Sequence, residues 1–457
     1  MHIPQFIQSF FHPHVSMSRA EGIQLLDKAH QHEENDHFDK AIPMYNSLAA
    51  DVDAEHAAKA QYRLGLIYMQ DNEALHNPLL AFEVMEKAAA NNHVQAQFQV
   101  GMMYLKGQGV SPDKEQAVHY LTAAAKGECS DAAYELGLLY LKQQDINAAI
   151  SFLSQAAGNW HADACYRLGR LYLCAEHLDV PGAVENFEKA IECGHAPAMY
   201  RLGMMHWKGQ GIKKNHSIAE VYFKKAAMEH YPQGAFMYAL GMQRSYSGDQ
   251  AAVRHYYQMA LDGGVIKAAL ELGDIERDEA HFIEAVNYYQ TASNYKISSA
   301  SLKLAILLYE GEHDVPKDTV AALQLFQLAS KQGNQTATLF LADWHRKQES
   351  WGDATVHVEQ ARQLYQVALK QGMSSAALIR HLNHQLLPVG SGLHNYLQIR
   401  CSIEYHQAKI YQENNQQDEY LTQIKASALS GHFLGNKESG RLQQEPKLSG
   451  QYVENVL

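Results

Sequence analysis

Small and apolar residues recur at i, i+3, i+4 and i+7 along most of this chain, the spacing of an amphipathic helix. The pattern is sharpest in one short core: AQYRLGLIY (60–68), AQFQVGMMY (96–104), AAYELGLLY (132–140), ACYRLGRLY (164–172) and AMYRLGMMH (198–206). Weaker copies follow in MYALG (237–241), AALELG (268–273), ASLKLA (300–305), ATLFLA (337–342) and AALIRH (376–381). One anchor position runs through them, held by Gly65, Gly101, Gly137, Gly169, Gly203, Gly241, Gly273, Ala305, Ala342 and His381. Successive anchors are 36, 36, 32, 34, 38, 32, 32, 37 and 39 residues apart. The chain therefore reads as one elongated array of repeats, where length alone would suggest about three domains.

A second helical motif follows each core, as in AVHYLTAAAKG (117–127), AISFLSQAAG (149–158), AVENFEKAIECG (183–194) and AEVYFKKAAMEH (219–230). Each unit is predicted to be a helix, a turn and a second helix, closed by Gly or Asn at the C-cap. No segment sustains a period of two, so no strands are expected. An alanine five before the anchor and a glycine at the anchor leave room for close helix approach. Tyr62, Leu64 and Tyr68, or Tyr166, Leu168 and Tyr172, fill the space around them. Ala117 with Ala124, and Ala219 with Ala226, are expected to face the neighbouring unit. One helix pair cannot bury its apolar face alone, so stacking must make the core continuous.

The stretches AQFQVGMMYLKGQGVSPDKEQAVHYLTAAAKGE (96–128) and AMYRLGMMHWKGQGIKKNHSIAEVYFKKAAMEH (198–230) resemble the Sel1-like repeat, a relative of the tetratricopeptide repeat. The resemblance covers residues 55–372, with degenerate pairs at 18–50 and 373–432. It implies an all-α, right-handed superhelical solenoid of antiparallel helix pairs. The corresponding organisation is an N-terminal segment (1–17), a capping helix pair (18–54), the array (55–372), degenerate C-terminal repeats (373–435) and a polar, aperiodic tail (436–457), expected to be mobile. The Gly-rich turn of the family survives at 107–109 and 209–211, and in degraded form in YEGEHDV (309–315). Some family members carry a cysteine pair in every repeat, a pattern absent here.

Composition narrows the functional classes. The formal charge is −12 and 19% of residues are charged, a balance that disfavours nucleic acid, whose binding needs a net basic surface. Five cysteines in an odd set without CxxC fit free thiols in a reducing compartment. The N-terminus lacks signal-peptide features and no run is long enough to span a membrane. A cytoplasmic location is expected, with a periplasmic one as the alternative. Ile3, Phe6, Ile7, Phe10 and Phe11 share a helix face expected to pack on the first repeat.

Candidate chemistry is sparse. The loops YLKGQGV (104–110) and HWKGQGI (206–212) place glycines beside a lysine, as phosphate-binding loops do. Their lysine precedes the glycines and no strand leads in, so they read as helix–helix turns. The 26 histidines, including His12/His14, His30/His32 and His381/His384, form no HExxH or ligand set and read as scattered surface residues. SNYK (293–296) fits SxxK but has no companion motif. No catalytic, cofactor or metal site is expected.

What remains is a surface. Positions −6, −2, +1 and +5 from the anchor share one stripe of the first helix, which the tetratricopeptide analogy puts on the concave side. The stripe is basic and methionine-dotted: Arg63, Met102, Lys106, Lys142, Arg167, Arg170, Arg201, Met204 and Lys208. Its alternative reading is that the −2 arginines only pair with acids on the adjacent helix. From the sixth unit on the stripe changes to Met242, Glu271, Asp274, Lys303, Ile306, Phe340 and Asp343. The expected function is a non-catalytic bacterial scaffold or adaptor for a protein or peptide carrying acidic and apolar residues. An inhibitor or immunity-type protein that occludes a partner enzyme, and a cell-wall-related hydrolase, remain as alternatives.

Overall fold

The computed structural model describes residues 18–50, 53–70, 74–174, 178–245, 249–311, 314–347 and 354–373. The N-terminal segment, the pairs expected beyond residue 373, His381/His384 and the polar tail lie outside them. The described residues form helices and turns, with no strand among them. The chain divides into two compact units, Met1–Met237 and Tyr238–Leu457.

In the first unit, first and second helices alternate as α1 (Arg19–Glu34) and α2 (Phe38–Ala49), α3 (Ala54–Met69) and α4 (Pro78–Ala90), α5 (Val94–Lys106) and α6 (Lys114–Lys126). They continue as α7 (Ser130–Lys142) and α8 (Ile146–Gly158), α9 (Ala162–Leu171) and α10 (Val180–Glu192), α11 (Ala196–Lys208) and α12 (His216–Met228). Helix α13 (Pro232–Ser245) carries the boundary between the units. The second unit holds α14 (Gln250–Asp262), α15 (Lys267–Asp278), α16 (Phe282–Asn294), α17 (Ser298–Glu310), α18 (Thr319–Lys331), α19 (Gln335–Lys347) and α20 (Ala354–Lys370). Within each unit, successive helices pack in sequence order, which is the solenoid arrangement.

Local chemistry starts these helices where the repeat needs them. Second helices begin on Asn77, Asp113, Asp145, Asp179, Asn215, Asp249 and Asp318, each accepting backbone N–H bonds from the first turn. From α4 on, the turn into the following repeat contains a left-handed residue, such as Asn92, Glu128, Trp160, Gly194 and His230. That conformation reverses the chain in a few residues and satisfies the last helical carbonyls.

The anchor has a steric cause. A Cβ at Gly101, Gly137, Gly169, Gly203 or Gly273 would sit 2.6–2.8 Å from Leu121, Leu153, Phe187, Phe223 or Tyr289. Each of those large residues lies on the second helix of the same repeat and is fully buried, within 1% of zero exposure. The first alanine of the second helix also crowds its own repeat: a Cβ at Gly101 or Gly203 would lie 3.3 Å from the carbonyl oxygen of Ala117 or Ala219. The later alanine faces the neighbour as expected: Ala226 Cβ lies against Gly234 of the next first helix.

Burial also moves one anchor. Spacing puts the sixth at Gly241, yet Gly241 is half-exposed and Ala239 is fully buried. The bond from Ala235 N–H to Tyr231 O repeats that from Met199 N–H to His195 O. Ala239 therefore occupies the position of Gly203, and the fragment MYALG is two residues out of register.

Where the second helix presents tyrosine in place of phenylalanine or leucine, the first helix supplies an acceptor. Tyr289 and Tyr365 donate to Asp274 and Asp343 at 2.6 Å, Tyr257 to Gln243 at 2.8 Å, and Tyr45 to Glu33. A buried hydroxyl without a partner would cost stability, so these substitutions come as pairs.

Candidate functional site

The stripe of first-helix residues divides by what each side chain touches. Lys106, Lys142 and Lys208 are exposed and are the last residues of α5, α7 and α11. There they also complement the negative end of the helix dipole. Met102 and Met204 are half-buried, and Met102 leans on the apolar core as well as facing out.

The arginines differ from one another. Arg63 is half-buried with Nη1 3.6 Å from Glu33 Oε1 on α1. Arg167 donates from Nε to the Tyr134 hydroxyl at 2.8 Å, with its guanidinium 5.6 Å from that ring. Arg170 is exposed, with its guanidinium 5.8 Å from the Tyr166 ring centre. Arg201 Nε is buried and has no hydrogen-bond partner. The expected alternative of pairing with acids thus holds for Arg63 alone; Arg167 is spent on a tyrosine of the preceding repeat.

The −6 position of the same stripe is not basic in the middle of the unit. Asp131 and Asp163 lie 3.3 and 3.4 Å from Nε2 of His161 and His195, each the residue that opens the next first helix. Those histidines, with His93, are N-caps: Nδ1 accepts from Ala164, Ala198 and Ala96 N–H at 3.1–3.2 Å. Their rings pack on Tyr134, Tyr166 and Tyr62 of the preceding repeat at 4.5–4.6 Å. These three are therefore repeat-to-repeat staples, a correction to the reading of scattered surface histidines. The signal in the sequence was their recurrence eight residues before Gly101, Gly169 and Gly203.

Two of the staples respond to pH. Burial pushes the imidazoles of His93 and His195 below the usual value, with Lys59 adding to the effect at His93 and Asp163 opposing it at His195. A depressed folded pKa means the unfolded chain binds more protons, so this stability is complete above about 6.5 and is lost as pH falls towards the folded values. Protonation would also remove the Nδ1 lone pair that caps the helix. The urea midpoint is expected to fall between about pH 7.5 and 5.5. The double variant His93→Asn, His195→Asn, which keeps a capping oxygen, should have a shallower pH slope; an unchanged slope would refute the assignment.

The remaining candidates dissolve into structure. In the first Gly-rich turn, Gly107 and Gln108 donate their N–H groups to Met103 O, and in the second Gly209 and Gln210 donate theirs to Met205 O. Those N–H groups close the preceding helix and do not point at a ligand. Ser293 of SNYK is buried and shares a 2.7 Å hydrogen bond with Ser301, while Lys296 occupies a left-handed turn. Glu276, Glu279 and His281 cluster closely enough to suggest a cation, but Arg254 already bridges both carboxylates at 2.9 and 2.6 Å. The four described cysteines carry free thiols. Among the described residues no helix is long and apolar enough to cross a membrane.

The family model of the Sel1 repeat matches residues 58–93, 94–128, 130–159, 162–195, 196–231 and 298–334. Among solved structures the chain is similar to a protective antigen of uropathogenic Escherichia coli strains that displays an SLR fold. That similarity has 22% identity and a TM-score of 0.66, covering 87% of this chain and 92% of the other. A Sel1 repeat protein from Oxalobacter formigenes is similar at 21% identity and a TM-score of 0.49, over 64% of this chain and 88% of that one. No curated protein matches significantly. At these identities the likeness is one of fold.

Proposed function

The chain is a Sel1 repeat protein, and from that premise we propose that it is a non-catalytic adaptor which docks a partner protein on the first-helix face of residues 58–231. The partner segment is acidic and apolar, and the setting is the reducing cytoplasm of a bacterium. The observation that carries this reading is the run of exposed cations along one stripe: Lys106, Lys142 and Lys208 five residues after their anchors on α5, α7 and α11, and Arg170 one residue after its anchor on α9. Half-buried Met102 and Met204 lie between them in the same stripe. None of the four cations has an ion-pair partner among the described residues. Polarizable methionines with unspent cations suit an adaptable contact with carboxylates and aliphatic side chains.

Charge reversal of all four cations to glutamate tests it. Affinity capture from the native cell, quantified by mass spectrometry, is expected to lose its specific proteins by about tenfold or more while helicity and Tm stay the same, because exposed positions carry little stability. Unchanged capture by a folded variant would remove the face from consideration.

A further inference from the structure

The −2 arginines of the first unit follow one rule with one exception. Arg63 and Arg167 both reach back to a side chain of the preceding repeat, Glu33 or Tyr134. By the same register Arg201 should reach Tyr166; that ring packs on His195 at 4.6 Å as Tyr134 packs on His161, but differs from it in carrying Arg170 at 5.8 Å. Asp163, on the preceding first helix, is taken by His195 at 3.4 Å. Arg201 is left with a buried Nε–H and no acceptor. Leaving a charged donor dry and unpaired costs stability, and a planar guanidinium fork is best satisfied by a carboxylate.

We propose that Arg201 is the carboxylate-binding centre of the docking face, receiving an Asp or Glu side chain of the bound segment with Arg170 of the preceding first helix as the second cation. This rests on the docking role of that face and narrows it to one subsite. A side-chain carboxylate fits better than a chain terminus, because the stripe continues past Arg201 towards both Lys142 and Lys208. Met204, three residues on from Arg201, supplies the apolar neighbour for the next residue of the segment.

The probes are two end-blocked peptides of about twelve residues, one alternating glutamate with leucine and one glutamine with leucine. Fluorescence anisotropy is read with the full chain, with Arg201→Gln, and with the triple variant Lys106→Gln, Lys142→Gln, Lys208→Gln. The native chain is expected to prefer the glutamate peptide, and Arg201→Gln to weaken that binding about tenfold or more. Arg201→Met, which keeps the aliphatic stem, should melt at the native temperature or above it, since it removes an unpaired buried donor.

Equal binding of the glutamate peptide by native chain and Arg201→Gln overturns the proposal, as does no preference for, or no binding of, that peptide by the native chain. A fall of several degrees in the Tm of Arg201→Met would assign the guanidinium an internal role and also overturn it. If Arg201→Gln binds normally while the triple variant does not, the docking face stands and this subsite falls. If neither variant changes binding, the face itself fails.

Discussion

Replacing Phe187 with alanine is expected to destabilise the first unit by about 3–5 kcal/mol, the range for emptying a closed aromatic site. Phe187 is fully buried on α10, with its ring edge against the space a Gly169 Cβ would fill, 2.8 Å away, and near Tyr166 at 5.9 Å. The surrounding walls cannot collapse easily, because Gly169 has no side chain to extend and the buried residues Ala183 and Ala190 of the same helix end at Cβ. The reverse change is expected to be milder: Ala305 stands at the anchor in the same buried cluster as Phe326, so a methyl at that position is compatible with a buried aromatic residue on the second helix. In a solenoid each repeat is held by its neighbours. Phe187→Ala should therefore lower the urea midpoint and expose amides of α9 to α11 to hydrogen exchange before those of α3 to α6. A loss below about 1 kcal/mol would show that Phe187 is not enclosed.

Gly109→Ala is expected to cost on the order of 2–4 kcal/mol, combining a left-handed backbone with overpacking. Gly109 has φ +72°, and a Cβ there would lie 2.0 Å from Pro78 O and 2.5 Å from Pro78 C, both backbone atoms at the start of α4. Backbone cannot rotate away, so the turn must lift off the preceding repeat. Gly211 is the internal comparison: its φ is +75°, but it meets the Val180 side chain at 2.9 Å, which can change rotamer. Gly211→Ala should cost clearly less. Equal stability of Gly109→Ala and native protein, by urea unfolding, would contradict the packing described. The second glycine of KGQG is thus a repeat-to-repeat spacer. Its first glycine, Gly107 at φ +67°, ends α5.

Much of the fold was legible in residue order. The helix period, the small anchor, and the Asp or Asn before each second helix act within one turn or one helix pair, so local spacing reveals them. The register failed where two small residues competed: at Ala239 and Gly241 only burial distinguishes the anchor. The candidate site was less legible. Helical spacing put nine residues on one stripe, and it could not tell a spent arginine from an available one. Arg167 and Arg201 occupy the same register position with similar neighbours in sequence, yet one donates to Tyr134 and the other has an unpartnered Nε.

The sequence by itself determined the repeat: a helix pair closed by a left-handed turn, with glycine at the anchor because a large residue must lie over it. Those features depend on contacts inside one unit, and composition at fixed offsets encodes them. Only the tertiary structure decided which polar groups remain for a partner. The ring packing of His93, His161 and His195 on Tyr62, Tyr134 and Tyr166, the pairing of Asp131 and Asp163, and the fates of Arg63 and Arg167 depend on side chains about one repeat away. Stacking brings those groups together, and the preceding repeat's own choices, such as Arg170 over Tyr166, determine what is left over.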